Sequence, residues 1–180
     1  AFGGSATALN NVSITDTDGD LGAGGTLIAT GDIVVSSVGN ITGMLSLRAD
    51  RDVAVTASAI RLGDATGRDV MLSASAGGVD VVGAVTIGRD YTLTGTGFAG
   101  NALAAAGTRL GDLLVMDTAG DFDYGTLDLG FVGTAALRAQ GAIRGGDIST
   151  LGSLSLSAMG VDAGTLRSDQ GGVDVDSSAA

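Results

Sequence analysis

Apolar residues alternate strictly with small polar ones in three stretches: Arg51-Asp52-Val53-Ala54-Val55-Thr56-Ala57, Arg68-Asp69-Val70-Met71-Leu72-Ser73-Ala74 and Arg89-Asp90-Tyr91-Thr92-Leu93-Thr94-Gly95. A period of two is the mark of a strand with one buried face. Val53, Val55, Val70, Leu72, Tyr91 and Leu93 are therefore predicted to point into a core, and Ala54, Thr56, Met71, Ser73, Thr92 and Thr94 to point away from it. The three stretches are copies of one phrase: an arginine, an aspartate, then the strand.

Looser copies extend the phrase along the chain: Gly31-Asp32-Ile33-Val34-Val35, Gly77-Gly78-Val79-Asp80-Val81, Gly111-Asp112-Leu113-Leu114-Val115, Gly146-Asp147-Ile148 and Gly171-Gly172-Val173-Asp174-Val175. The aspartates of the closest copies stand at 32, 52, 69, 90 and 112, and the next, Asp147, is far enough on to lie two turns beyond Asp112. Periods of this size mean a solenoid. The leucine and asparagine ladder of leucine-rich repeats is missing, as are the long 3.6-period runs of helical repeats. The prediction is all-β: a right-handed parallel β-helix, or β-solenoid, with a repeat of about 20 residues. Each turn is expected to hold two strong strands and a shorter third, with corners such as Gly39-Asn40, Gly63-Asp64, Gly77-Gly78 and Gly88-Arg89-Asp90.

Residues 1–23 read as an irregular leading segment or partial first turn, and 24–176 as solenoid turns with a looser, inserted region near 96–132; residues 177–180 read as a frayed end. Within the insertion, the Ala-rich run from Thr96 to Gly107 suggests a protruding loop or bulged turn. The first residue is Ala and no charged, then apolar, leader follows, so the chain reads as an excerpt of a longer one.

Composition sharpens the strand reading. The 180 residues include 32 Gly and no Pro, and all nine cations are Arg and all twenty anions Asp, with no Lys, Glu or His. Losing Lys and Glu removes two strong helix formers, while proline would break the ladder of a strand paired on both sides. A hydrophobic fraction of 44% is too high for a disordered chain, and no apolar run is long enough to span a bilayer as a helix. The net charge of -11 and the scattered arginines argue against nucleic acid as a partner. Absent cysteine excludes disulfides and thiolate metal sites.

Candidate chemistry is sparse. Asp16, Asp18 and Asp20 stand at alternate positions, the spacing by which a calcium loop offers oxygen ligands, and they are the one metal candidate. The EF-hand pattern fails, because Gly19 stands fourth where a sixth-position glycine is required and Leu27 occupies the twelfth position. With no His, Cys, Lys or Glu, catalysis would fall to aspartates, as it does in glycosidases. Asp121, Asp123 and Asp128, beside Phe122 and Tyr124, are the best such group, but a turn over a core aromatic explains the same residues, and no enzyme is expected. Corner aspartates repeat along the axis at about 4.8 Å, and Arg51, Arg68 and Arg89 are expected to offset their repulsion.

Phrases such as Gly152-Ser153-Leu154-Ser155-Leu156-Ser157-Ala158 and Gly43-Met44-Leu45-Ser46-Leu47-Arg48-Ala49, interleaved with the Gly-Asp phrases, resemble the shaft repeats of filamentous-haemagglutinin-type exoproteins over about residues 24 to 176. These are the large secreted partners of bacterial two-partner secretion. The resemblance implies a β-helical shaft, near-absence of cysteine, and an extracellular place on the bacterial cell surface. It also implies a secretion domain with Asn-Pro motifs that a Pro-free chain does not contain, so any outer-membrane transporter would meet a different part of the parent chain. The expected function is a stalk or fibre segment of a secreted surface adhesin. Its partner would be a cell-surface or polysaccharide receptor, or neighbouring copies of the chain. The alternatives are a self-assembling extracellular filament or surface-layer subunit and, further off, a carbohydrate-active β-helix.

Overall fold

The structure is a computed structural model that describes residues 2–104 and 110–177. It is all strand and turn, wound as a parallel β-solenoid. The phrase that repeats most faithfully builds the long face: Val12–Asp16, Ile33–Ser37, Val53–Ala57, Val70–Ala74, Tyr91–Gly95, Leu113–Asp117, Thr134–Ala139, Ser153–Ser157 and Val173–Asp176 stack in that order in one unbroken parallel sheet. Register follows the sequence phrase. Val53 lies opposite Val70, which lies opposite Tyr91, and Val55, Leu72 and Leu93 stack beside them. All six are at most 2% exposed, so the period-two reading of inward and outward residues holds.

Two further, mostly shorter faces complete each turn: the expected two strong strands and a shorter third are found in Ile33–Ser37, Ile41–Thr42 and Leu45–Ala49, while the next turn joins the five-residue Val53–Ala57 to two three-residue strands. The second face carries Ile41–Thr42, Ile60–Leu62, Val79–Val81 and Phe98–Gly100. The third carries Phe2–Ala8, Leu45–Ala49, Ala65–Gly67 and Val85–Ile87. The strand Leu21–Ala29 turns the corner between them, pairing Leu21 with Ile41 on one face and Leu27 with Leu47 on the other. Phe122–Asp123, Ala142–Arg144 and Gly160–Asp162 then form a separate ladder, as do Leu127–Leu129, Ile148–Thr150 and Leu166–Ser168. The break thus falls within 96–132, on the short faces alone. Residues 105–109, part of the Ala-rich run, lie outside the described residues; just before them Ala102 is fully buried and its carbonyl accepts the Tyr91 hydroxyl at 2.7 Å.

Inward Val, Ile, Leu and Ala from all three faces merge into one continuous core. Burying such side chains contributes about 1.5–3 kcal/mol each for the larger ones. Two similar phrases serve different faces from the one their sequence suggests. Val79–Val81 pairs with Ile60–Leu62 on the second face, and Asp147 precedes Ile148–Thr150 on the third. Asp147 is therefore not two turns beyond Asp112 on the same corner; Thr134 takes the next place there.

Candidate functional site

The Gly-Asp phrase is explained by what lies one turn away. At the corner before the long face, a side-chain oxygen of one turn, an aspartate carboxylate in every case but that of the Asn11 amide, accepts the backbone N–H of the equivalent residue on the next. Asp32 N–H donates to Asn11 Oδ1, Asp52 N–H to Asp32, Asp90 N–H to Asp69, Asp112 N–H to Asp90, and Thr134 N–H to Asp112. Other corners use the same bond. Asn40 donates to Asp20, Ala84 to Asp64, Ala142 to Asp121 and Thr165 to Asp147. Each bond satisfies a corner N–H that the strand ladders do not reach.

Glycine precedes seven of these donors, at positions 31, 39, 83, 111, 133, 141 and 164. A Cβ at any of them would stand under 3.0 Å from the accepting oxygen of the turn before. The glycine is thus dictated by the aspartate, or by Asn11 in the first case, about one turn earlier in the chain. Where it is present the bond measures 2.6–2.9 Å. Arginine takes its place before Asp52, Asp69 and Asp90. There the bonds lengthen to 3.3 Å for Asp52 and 3.2 Å for Asp90, and Asp52 Oδ1 receives no backbone N–H from the next turn but faces Arg68 Nη2 at 3.0 Å.

The arginine side chain compensates by lying over the carboxylate it displaced. Arg51 Nε is 3.5 Å from Asp32, Arg68 Nη2 is 3.0 Å from Asp52, and Arg89 grips Asp69 through Nε at 3.0 Å and Nη2 at 2.6 Å. The expected Asp/Arg ladder is therefore present as alternating ion pairs along the axis. These guanidinium groups are about half exposed, so each pair is weak and fixes register more than it stabilises.

Asp16, Asp18 and Asp20 sit at the end of Val12–Asp16 and in the turn after it. Asp16 Oδ1 accepts the Asp18 N–H at 3.1 Å, and Asp20 Oδ1 accepts the Asn40 N–H at 2.8 Å. Among the described residues no three His, Cys, Asp or Glu side chains group as metal ligands would.

The acidic and aromatic group at 121–128 is divided by the strand Phe122–Asp123. Phe122 is buried and stacks edge-on against Phe98 across the break, with centroids 5.9 Å apart. Asp121 faces a corner, where the Ala142 N–H, then Arg144, holds its carboxyl below the usual range. Asp64 is lowered in the same way, by the Ala84 N–H first and the Ser46 hydroxyl second. Asp123 and Asp128 instead line a groove of about 340 Å³ with Tyr124, Phe98 and Leu103. Burial, then Asp147 and Asp162, pushes the Tyr124 phenol up, and its hydroxyl donates to the Gly146 carbonyl at 3.1 Å. A wider groove of about 590 Å³ runs along the second face over Ile41, Ile60 and Val79, rimmed by the Arg61–Asp80 pair.

Sequence reasoning identified the corner aspartates as a ladder but not their hydrogen bond to the next turn. The signal was available, because a glycine follows each of Asp20, Asp64, Asp90, Asp112, Asp121 and Asp147 by about one turn. The arrangement supplies structural cohesion along an axis. No family model, curated protein or solved structure matches this chain.

Proposed function

We propose that this chain is a stalk segment of a large secreted bacterial surface adhesin, an extracellular rod that holds an adhesive module away from the cell. The observation that carries the reading is the unbroken nine-strand long face, whose turns are tied by backbone ladders and by corner carboxylates bonded forward to the next turn. Such a rod extends by adding turns, needs no disulfide, and spreads its stability over near-equivalent neighbours. The resemblance of its repeats to haemagglutinin-type shafts supports the extracellular setting. Immunoelectron microscopy of producing bacteria, with antibodies raised against this chain, tests it. Label outside the outer membrane, together with weaker attachment when the segment is deleted, is expected; label confined to the cell interior would refute the reading.

A further inference from the structure

The second face opens where its ladder stops. Phe98–Gly100 and Phe122–Asp123 belong to consecutive turns but do not pair, and the groove of about 340 Å³ lies between them. Phe98 and Gly100 line it from the earlier turn, and Asp123, Tyr124 and Asp128 from the later one. Strand alternation sends both carboxylates outward, Asp123 beside the buried Phe122 and Asp128 between the buried Leu127 and Leu129. The corner that separates them carries Tyr124. Its ring lies over Gly145 of the next turn, where a Cβ would stand 2.6 Å from two ring carbons. Its hydroxyl donates to the Gly146 carbonyl at 3.1 Å, so the ring is fixed at its far end as well. Asp128 Oδ1 accepts the Ser149 hydroxyl at 2.9 Å. Asp123 has Arg144 as its register partner, yet that guanidinium turns to Asp121 at the corner. Asp123 is left with no hydrogen-bond or ion-pair partner among the described residues.

We propose that this groove binds one ring of a neutral saccharide. Ionised carboxylates only accept hydrogen bonds, so the two outward aspartates call for a ligand that brings donors, and the aromatic side chains for one with an apolar side. A pyranose has both: hydroxyls around its rim and C–H groups on its faces. Hydrogen bonds to an ionised acceptor are roughly twice as strong as neutral ones. The volume stands at the small end of ligand sites, which run from about 300 to 1,000 Å³. An inorganic cation fits less well, because among the described residues no three acidic side chains group as metal ligands would. A single open site of this size binds weakly, so it adds contact along the rod and does not stand in for an adhesive module. Saccharide binding here does not depend on the stalk reading.

Tyrosine fluorescence tests it, since the chain has no Trp and only two Tyr, of which Tyr91 is 1% exposed. Methyl glycosides of glucose, galactose, mannose and N-acetylglucosamine are titrated into the whole chain. At least one should change the Tyr124 emission saturably, with a half-point in the millimolar range. Saturation-transfer NMR then follows the same glycoside in variants. Asp123→Ala removes an exposed, unpartnered side chain and should leave the circular dichroism unchanged. It should weaken binding about tenfold or more, the usual loss for a hydrogen bond to a charged group. Tyr124→Leu should do the same, and Asp174→Asn on the long face should leave binding as it was. No saturable response to any glycoside would overturn the proposal, as would undiminished binding by a folded Asp123→Ala. So would a response to choline or lysine methyl ester without one to the glycosides, which would assign the groove to an organic cation. None of these outcomes bears on where the chain is displayed, which tests the stalk.

Discussion

Gly31 is constrained by a residue in the previous turn. Its missing Cβ leaves the space that Asn11 Oδ1 occupies while accepting the Asp32 N–H at 2.9 Å. Gly31→Ala should therefore destabilise by about 1–3 kcal/mol, the usual range for forced overpacking. Asn11→Ala should cost about 1 kcal/mol through the unpaired N–H. The double variant should lose less than the sum, because removing the amide makes room for the methyl, and neighbours that share a contact are expected to couple. Thermal melts of the four proteins measure the cycle; strict additivity would mean that the glycine is there for another reason. At Asp16, Asp18 and Asp20, two of the three carboxylates already accept backbone N–H groups. Millimolar calcium should therefore leave the melting temperature unchanged, whereas a site specific to the native state would raise it by mass action.

At the scale of the strand and its corner, acid should loosen the coil. Asp64 and Asp121 have folded pKa values below the ordinary carboxylate value because N–H donors stabilise their charged forms. Each such group contributes stability that is fully present above its unfolded pKa, near 3.9, and is lost as pH falls through the lowered folded value. The melting temperature should be level from neutral pH to about 5 and decline below about 4. Asp64→Asn, which keeps an acceptor but does not titrate, should make that decline shallower; an unaltered acid profile would show that the corner bond is unconnected with acid lability. The strand itself was legible in the sequence, since Val53, Val70 and Tyr91 alternate with outward residues and all prove buried. Which face a strand joins was not. Alternation is demanded by any strand with one wet side, so Val79-Asp80-Val81 and the strand after Asp147 look like the long-face phrase while lying elsewhere. Turns that vary from 17 residues, between Val53 and Val70, to 22, between Tyr91 and Leu113, blur the period that would have separated them.

Over the whole molecule, cohesion is spread along an axis. The long-face ladder continues past the place where both short-face ladders break, so one side of the rod is continuous while the other is free to vary. That asymmetry suits a stalk, whose task depends on length and not on any single side chain. The candidate site was only half legible: Asp123, Asp128 and Tyr124 do share a groove, but Asp121 turns to a corner and Phe122 to the core, because strand alternation sends neighbours to opposite sides. A rod and a groove-bearing active module respond differently to replacement. The most direct measurement is attachment of producing cells whose parent protein carries, in place of this segment, an unrelated solenoid with the same number of turns. The stalk account predicts attachment near the wild-type level for the equal-length exchange and a graded loss as turns are removed. Attachment abolished by the equal-length exchange, with the protein still displayed at the surface, would contradict it.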